Sequence, residues 1–388
     1  MQIHRIENKK YRVRIKSFDC IRGYGSLVIL FAHLPILEGS LLSYSFKTFI
    51  SQTTLGYILL DMFFVMSGFL ITAIILKEKE KNTFSFKQYY LSRTLRIFPI
   101  YYLTIILVAI FISTEHLIYP VFYVSNYFFS FHNEVHPLNN TWTLAVEEHF
   151  YLIWPIILST FSIKMCKYIT GYIIPAIAIL TVIILGLVFE PDIASNLACF
   201  GTTTRCISIS FGSFLAFNYG WLKNLSTRGF KKIILLCIAV YGLFYFMPLI
   251  PVLNQVPQYV RLVCIVPVIS TLLIIISHRA NFIADSVFKR VVFNSPIAYV
   301  GLMSYGLYLY HYPIFYYFGI TDWQTPVTSD VFTYWLAVAI TFIFSILSFH
   351  FIETPVLNLR KKFSFGKTNK QAPGTLYTQK EKELAEHF

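Results

Sequence analysis

The chain has 388 residues, of which 56% are hydrophobic, 18% aromatic and only 13% charged. This composition excludes an ordinary soluble domain and is typical of a helical protein that crosses the membrane several times. A formal net charge of +13 could suggest nucleic acid as a partner, but the basic residues form short runs between apolar stretches, which indicates membrane topology instead. The six cysteines show no CxxC spacing and no cluster with histidine, so neither a metal site nor a disulfide framework is predicted.

In chain order, ten apolar segments are predicted to be transmembrane helices: 18–37, 55–76, 97–113, 142–160, 169–189, 204–220, 233–250, 259–277, 294–319 and 331–353. The predicted fold class is therefore all-α, a polytopic membrane protein with about ten transmembrane helices. Residues 18–357 are predicted to form the transmembrane domain, between a basic cytoplasmic arm, 1–17, and a charged cytoplasmic tail, 358–388. No small-residue cleavage site follows the first apolar stretch, so we expect a retained first span rather than a signal peptide.

The distribution of lysine and arginine predicts the orientation of these spans. An even number of spans places both termini on one side, and 29 of the 32 basic residues fall on that side. The three on the opposite side are Lys47, Arg205 and Arg261. Because cytoplasmic loops carry an excess of basic residues, we predict a multi-pass protein of the inner membrane with both termini cytoplasmic.

One further apolar segment, 117–131, is only 15 residues long. It is short for a span, and a crossing here would place every later basic loop outside the cell. We therefore expect an interfacial or re-entrant piece.

Two polar residues interrupt the first predicted span. Arg22 and His33 are about three helical turns apart, so on a continuous helix they face the same way, roughly 16 Å apart along the axis. Charged and titratable groups inside a membrane are costly and usually functional. Structural roles stay open: His33 could be a core histidine, and Arg22 could anchor the cytoplasmic end of the span or pair with Asp19.

Seven short motifs follow one another along the chain: Arg22-x10-His33 after Phe18-Asp19, Asp61 to Leu70 with Ser67-Gly68, Arg93-x-x-Arg96 with Pro99 and Tyr101-Tyr102, Thr141 to Tyr151, Arg205 with Gly212, Ser304 to Pro313, and Ile352 to Pro355. Through these motifs, from about residue 17 to 357, the chain resembles the acyltransferase-3 family of integral-membrane O-acyltransferases. It departs from the family in His149, where Gln is common, and in Thr354, where a basic residue is common. It ends soon after the last predicted span and so resembles the standalone members.

The resemblance implies an enzyme that moves an acyl group, by default acetyl, from cytoplasmic acyl-CoA to a hydroxyl of a cell-envelope or surface carbohydrate. The implied partners are acyl-CoA as donor substrate, a carbohydrate or glycolipid acceptor and the lipid bilayer, with no cofactor and no nucleic acid. Two alternatives stay open. A transporter or flippase for a glycolipid or an acyl-bearing solute would use the same charges as a path, although no repeated halves are seen. An inactive membrane scaffold or sensor would keep the fold alone.

Two residues are predicted to be catalytic. His33 is suited to act as the general base, because an imidazole titrates near neutrality and the acceptor hydroxyl must lose a proton as it attacks. Glu147 could orient His33, accept a proton or bind sugar hydroxyls. As an acid in the first turns of its helix, it could also simply be favoured by the helix dipole. Glu148 diverges from it by about 100° around the helix, so the two cannot both point into one cavity.

Arg22, Arg93 and Arg96 are predicted to bind the phosphates or the thioester end of the donor, with topology charge and lipid headgroup contact as the alternative. Six further residues are predicted to line the cavity or contact the acceptor: Ser67, Trp142, Tyr151, Arg205, His311 and Glu353. Interfacial aromatic residues and helix locks are the structural alternatives for this set. A nucleophilic role for Ser67 is open, although the sequence places no base at a fixed spacing from it. His132, His136 and His278 are expected to be solvated, and no metal ligands are predicted.

Overall fold

The computed structural model describes residues 15–32, 55–132, 134–247, 256–280, 295–320 and 331–364. His33, most of the predicted arm and most of the predicted tail lie outside the described residues. Within them the regular elements are helices and no strand occurs, which confirms the all-α prediction for this part of the chain.

The α-helices, numbered in chain order, are α1 Lys16–Ala32, α2 Leu55–Glu80, α3 Phe86–Phe111, α4 Ile118–Val121, α5 Ser125–Phe131, α6 Trp142–Thr160, α7 Ile163–Tyr168, α8 Ile174–Val188, α9 Pro191–Phe200, α10 Thr202–Phe217, α11 Tyr219–Lys223, α12 Thr227–Phe246, α13 Gln258–Cys264, α14 Val266–Ala280, α15 Ser295–Leu302, α16 Ser304–Tyr317, α17 Val331–Ser348 and α18 Thr354–Ser364. Two π-helical turns, Ile169–Ile173 and Phe349–Glu353, join α7 to α8 and α17 to α18. A 3-10 turn, Asn139–Thr141, precedes α6.

Six helices of the described part are long and apolar enough to cross a membrane: α2, α3, α7 with α8, α12, α13 with α14, and α17 with α18. The other four predicted spans are helical where the structure describes them, but their described helices are shorter, divided or less apolar. Helix α1 has 17 residues and α10 has 16, α15 and α16 are separated at Met303, and α6 carries Glu147 and Glu148 in its interior. A total of ten spans with cytoplasmic termini therefore stays a prediction.

Helix α2 lies at the centre of the described fold, where it packs against α1, α6, α10 and α14. Its contact with α10 depends on two glycines. A Cβ atom on Gly68 would lie 1.9 Å from the carbonyl oxygen of Ile209, and one on Gly212 would lie 1.9 Å from that of Val65. Small residues allow helix backbones to approach this closely, so Gly68 and Gly212 fix the register between α2 and α10.

Helix α1 runs antiparallel to α2. The Phe18 ring lies 5.6 Å from the Phe69 ring, whereas Gly25, two turns later on α1, faces the ring of Phe63, which is earlier on α2. Arg22 lies between these two contacts and is therefore level with the middle of α2. The sequence alone assigned Arg22 to the cytoplasmic start of its span, so the structure places this charge deeper in the protein than expected.

The segment predicted to be interfacial or re-entrant forms the short helices α4 and α5. Neither is long enough to cross a membrane, as expected. Phe128 and Phe129 point into the protein, whereas Ile118, Phe122 and Phe131 are exposed. This segment packs beside α6 and α9, so it covers the start of α6.

Candidate active site

The Glu147 carboxylate connects two helices at the middle of the fold. Ser67 Oγ donates a hydrogen bond to Oε1 at 2.7 Å, and the Tyr151 hydroxyl donates to Oε2 at 2.9 Å. Tyr151 is one turn after Glu147 on α6, whereas Ser67 is at the middle of the 26-residue helix α2. Ser67, for which the sequence offered no partner, therefore has a carboxylate at hydrogen-bonding distance.

Glu147 lies deeper than its sequence position suggested. It contacts the middle of α2, and α6 begins at Trp142, only about 7.5 Å before it along the helix axis. Half of a hydrocarbon core is about 15 Å, so with the middle of α2 at the centre of the bilayer, the start of α6 lies within membrane depth. Asn140 and Thr141, just before α6, are 6% and 0% exposed. Backbone that is not α-helical needs partners from the protein at this depth. Helices α5 and α16 contact the 3-10 turn before α6, and the Tyr308 hydroxyl of α16 donates to the carbonyl oxygen of Asn140.

The three arginines predicted to bind the donor lie close to Glu147 or to its partner Tyr151. Arg22 and Arg96 are close enough to Glu147 for their positive charges to interact with its carboxylate. The guanidinium carbon of Arg93 lies 5.3 Å from the centre of the Tyr151 ring, a distance at which cation–π attraction is favourable. Arg96 is exposed, whereas Arg22 and Arg93 are partly buried. The structure thus brings Arg22 and Arg96, from helices α1 and α3, close to Glu147, and places Arg93 beside Tyr151, one turn later on α6.

Two further carboxylates, those of Glu148 and Glu353, each have one buried oxygen without a hydrogen-bond partner among the described residues. Arg93 acts electrostatically on Glu148, and Arg96 acts on Glu353. Glu147 and Glu148 therefore face different arginines, as their divergence around the helix predicted. Glu353 ends the π-helical turn between α17 and α18, and such turns often occur at functional sites. A buried oxygen without a hydrogen bond is costly, so both are candidates to contact substrate or water.

A second charged site lies toward the N-terminal end of α2. Arg205 Nη1 donates to the Asp61 carboxylate at 3.3 Å, and Arg205 Nε donates to the carbonyl oxygen of Cys199 at 2.6 Å. The Asp61 and Arg205 side chains are 0% and 1% exposed. The Arg205 guanidinium also lies 5.6 Å from the centre of the Tyr57 ring and 5.7 Å from that of Trp142. Arg205, which was predicted to line the cavity, is therefore part of a closed ion pair.

The remaining predicted site residues are buried in the protein. Trp142 and Tyr151 are 8% and 5% exposed, and Trp142 packs against the ring of Phe200 at 5.0 Å between centres. His311 is 2% exposed and its Nδ1 lies 3.2 Å from the carbonyl oxygen of Leu307. Their contact with an acceptor stays a prediction, as does the catalytic role of His33, which lies outside the described residues.

One supporting residue was not found from the sequence. Pro155 has no N–H, which leaves the carbonyl oxygen of Tyr151 without its helical partner. The Tyr89 hydroxyl donates to this oxygen at 3.2 Å, and the Tyr89 ring also lies 5.8 Å from the guanidinium carbon of Arg93. Tyr89 therefore stabilises both α6 and Arg93. The proline within an apolar helix was the signal that a donor from another helix is needed here.

Two predictions about histidines are wrong, because His136 and His278 are 6% and 1% exposed rather than solvated. His132 is exposed, as expected.

The guanidinium of Arg22 lies 3.9 Å from the carboxylate of Asp19, which is one turn earlier on the same helix. This is the ion pair that the sequence left open as a structural role for Arg22. Among the residues that the structure describes, no group of histidine, cysteine, aspartate and glutamate has an arrangement suited to a metal ion.

Comparison with known proteins adds evidence from the whole chain. A family model described as an acyltransferase domain matches residues 15–350. The peptidoglycan O-acetyltransferase OatA of Listeria monocytogenes serovar 1/2a (strain ATCC BAA-679 / EGD-e) is 32% identical over 90% of this chain and 56% of its own length. The putative peptidoglycan O-acetyltransferase YrhL of Bacillus subtilis (strain 168) is 27% identical over 91% of this chain and 56% of its own length.

A putative O-acetyltransferase of Staphylococcus aureus (strain COL) is 30% identical over 77% of this chain and 52% of its own length. The chain thus spans about half the length of the curated relatives it matches. No solved structure matches it.

Proposed function

The chain belongs to the acyltransferase domain family, and we propose that it moves an acetyl group from cytoplasmic acetyl-CoA to a hydroxyl of a cell-wall carbohydrate. The family expected from the seven motifs is thereby confirmed. The names of the peptidoglycan O-acetyltransferase relatives support the acetyl group and the carbohydrate acceptor. The proposed setting is the inner membrane, with ten spans and with both termini in the cytoplasm.

The observation that carries this proposal is the Ser67–Glu147 pair with three arginines around it at the middle of the protein. Acyl-CoA carries several phosphate charges and a long thin arm that ends in the thioester. Arginine is well suited to such anions because its planar guanidinium offers several donors. We assign Arg93 and Arg96 to the phosphate side of the donor. We assign Arg22, which is level with the middle of α2, to the thioester side.

The transfer needs two proton movements. As the acceptor oxygen attacks the thioester carbonyl carbon, the acceptor hydroxyl must lose its proton. When the carbon–sulfur bond breaks, the departing sulfur takes up a proton and CoA leaves as the thiol. We assign both movements to His33, as base and then as acid. Glu147, held by Ser67 and Tyr151, supplies the negative charge that balances the arginines and the imidazolium formed on the way.

The proposal is tested with the full chain in lipid nanodiscs, supplied with isotopically labelled acetyl-CoA and fragments of cell-wall glycan. We expect release of free CoA together with a labelled acetyl ester on the glycan. His33→Ala should reduce the transfer rate by about 100-fold or more. His132→Ala, at an exposed histidine of the loop before α6, is the matched control and should keep the wild-type rate. An equal transfer rate in His33→Ala and wild type would contradict the assignment of His33. Absence of CoA release from the wild type would contradict the function itself.

One specific observation supports a second route to the same product. The Ser67 hydroxyl is hydrogen-bonded to a carboxylate, so Ser67 could accept the acetyl group first and pass it to the acceptor. Quenched reactions distinguish the routes, because an acetyl ester on the peptide that contains Ser67 would appear only in the two-step route.

The transporter alternative predicts no cleavage of the thioester, so CoA release in the same assay decides between transport and transfer.

A further inference from the structure

The tyrosines of helix α16 hold the backbone beside the charged residues of the site. The Tyr305 hydroxyl donates to the carbonyl oxygen of Ile97 at 2.9 Å, and the Tyr308 hydroxyl donates to that of Asn140 at 2.9 Å. The Tyr310 hydroxyl donates to Ser348 Oγ at 3.0 Å. These three hydroxyls reach three different elements of the fold, namely α3, the turn before α6 and the end of α17.

Each of these contacts is close in sequence to a member of the charged cluster. Ile97 directly follows Arg96 on α3. Ser348 directly precedes the π-helical turn that ends at Glu353. The turn held by Tyr308 leads into α6, which carries Glu147. One helix therefore contacts all three elements that place Arg96, Glu147 and Glu353.

The contact through Tyr308 is the most extensive. Thr143 Oγ1 donates to the Tyr308 hydroxyl at 2.8 Å, so this oxygen is both donor and acceptor. Thr143 lies one turn before Glu147 on the same face of α6, since residues four apart on a helix are neighbours. A displacement of Thr143 is therefore transmitted to the Glu147 carboxylate.

The same junction also compensates for a proline. Pro313 has no N–H and leaves the carbonyl oxygen of Leu309 without its helical donor. Asn140 Nδ2 reaches this oxygen at 3.5 Å and the carbonyl oxygen of Tyr308 at 2.5 Å. The 3-10 turn before α6 and the proline-weakened stretch of α16 thus satisfy each other's backbone groups. At membrane depth no water is present to replace these hydrogen bonds.

We propose that Tyr308 and Tyr305 are positioning residues of the acyltransferase, with Tyr308 fixing Glu147 through Thr143 and Tyr305 fixing Arg96 through the backbone of α3. The proposal rests on the proposed function only for its kinetic consequences. The positional effect on Glu147 exists whatever reaction the protein performs.

The test uses the full chain in lipid nanodiscs with phenylalanine in place of single tyrosines. In acetyl transfer, Tyr308→Phe should lower kcat about 5- to 10-fold with little change in the KM for acetyl-CoA. It removes the two hydrogen bonds of the Tyr308 hydroxyl, those with Asn140 and Thr143, which orient the part of α6 that carries Glu147. Tyr305→Phe should raise the KM for acetyl-CoA about 5-fold with little change in kcat. Tyr102→Phe is the matched control, because its hydroxyl also donates to a backbone carbonyl oxygen, that of Val121, but in α4.

A second readout does not depend on activity. A hydrophobic carbodiimide modifies protonated carboxyl groups inside membranes, and mass spectrometry locates the modified residue. We expect Tyr308→Phe to change the labelling rate at Glu147 severalfold, whereas Tyr102→Phe leaves it within about twofold of the wild type. If Tyr308→Phe fails to fold, Thr143→Val removes the same hydrogen bond from the other side with a side chain of equal shape.

The two readouts separate the two proposals. A wild-type protein that releases no CoA defeats the proposed function, and carbodiimide labelling still decides the role of Tyr308. Equal labelling rates at Glu147 in Tyr308→Phe and Tyr102→Phe would overturn the positioning role of Tyr308 even if acetyl transfer is robust. Equal KM values for acetyl-CoA in Tyr305→Phe and Tyr102→Phe would overturn that of Tyr305.

Discussion

Helix α2 carries two charged sites that differ in kind. Asp61 forms a buried ion pair with Arg205, and the two side chains are 0% and 1% exposed, respectively. Aromatic rings cover the Arg205 guanidinium. About 9 Å further along the helix, Ser67 bonds Glu147, whose surrounding arginines include the exposed Arg96. Both sites place charge inside an apolar protein. The first is closed and locally neutral, although Arg205 Nη2 has no hydrogen-bond partner among the described residues. The second is open, and the neighbouring carboxylates of Glu148 and Glu353 each have one oxygen without such a partner.

This difference indicates what each site is for. A closed ion pair whose groups bond each other and the backbone cannot reach a substrate without being broken. Its contribution is to hold α2 against α10. An open cluster that combines three arginines with half-buried Glu147 can bind an anion and respond to proton transfer. The comparison therefore supports our proposal that the cluster around Glu147 serves the reaction, whereas Asp61 and Arg205 serve the fold.

The largest expected effect is on stability, at the closed site. Asp61→Ala leaves the buried Arg205 charge without its partner and should lower the free energy of unfolding by about 3–5 kcal/mol. Thermal unfolding of the detergent-solubilised protein measures the loss. Glu115→Ala, at an exposed acid, is the control and should change stability by less than about 0.5 kcal/mol. A change in Asp61→Ala as small as in the control would show that the ion pair does not hold α2 in place.

The next effect is on catalysis, at the open site. Glu147→Gln keeps the size of the side chain but removes its charge and replaces one acceptor oxygen by an NH2 donor. We expect kcat/KM to fall about 100-fold while the melting temperature changes little. The exposed Glu190→Gln is the control. A Glu147→Gln protein that melts far below the wild type, yet retains its activity while folded, would reverse the assignment of the two sites.

A smaller effect is expected at the donor side of the open site. Arg96→Lys keeps the charge but loses the planar fork of donors, so the KM for acetyl-CoA should rise about tenfold with a modest change in kcat. Arg228→Lys, at an exposed arginine in the first turn of α12, should leave both parameters unchanged. If the KM is unaffected by Arg96→Lys, Arg96 does not bind the donor through bidentate contacts.

Much of this comparison could be predicted from the sequence, but not its geometry. The apolar segments indicated the helices, and the motifs indicated Ser67, Glu147 and the arginines. The depth of Glu147 was not predictable, since sequence defines each helix but not the axial offset between neighbouring helices. The Ser67–Glu147 bond joins residues 80 positions apart, and Gly68 and Gly212 set the α2–α10 register only once both helices are in contact.

The burial of two histidines was missed for a similar reason. A histidine in a polar loop, such as His136, is expected to be solvated until the backbone that surrounds it is known. Its Nδ1 accepts a hydrogen bond from the Leu138 N–H at 3.1 Å, and its Nε2 lies 3.0 Å from the carbonyl oxygen of Glu115. These partners require neutral imidazole with its proton on Nε2, and no pattern in the sequence indicated them.

The smallest predicted effect follows from this histidine, which lies outside both charged sites. Burial is the main cause that lowers the pKa of His136 below its ordinary value of 6.5. The neutral form is favoured in the folded state, so neutral His136 contributes to the free energy of unfolding. This contribution is fully present above pH 6.5 and is lost as the pH falls from there toward the lower pKa of the folded state. The loss should be at most about 1.4 kcal/mol per pH unit.

Melting temperatures recorded between pH 7.5 and pH 5.5 measure this effect, which should be absent in His136→Gln. His132→Gln, at the exposed histidine of the same loop, should retain the wild-type pH dependence. Identical pH dependence in His136→Gln and wild type would assign the acid sensitivity to other groups.

The central claim is that the end of the donor reaches the Ser67–Glu147 pair at the middle of the protein. The most direct measurement uses Ser67→Cys in nanodiscs, treated with the disulfide of CoA and analysed by peptide mass spectrometry. The introduced thiolate attacks the disulfide, which forms a mixed disulfide between the protein and CoA and releases one CoA thiolate. We predict this adduct at position 67, its suppression by acetyl-CoA and its absence from Ser270→Cys, a buried position elsewhere in the fold. If position 67 gains no adduct, or if acetyl-CoA does not compete with its formation, the donor does not reach this site.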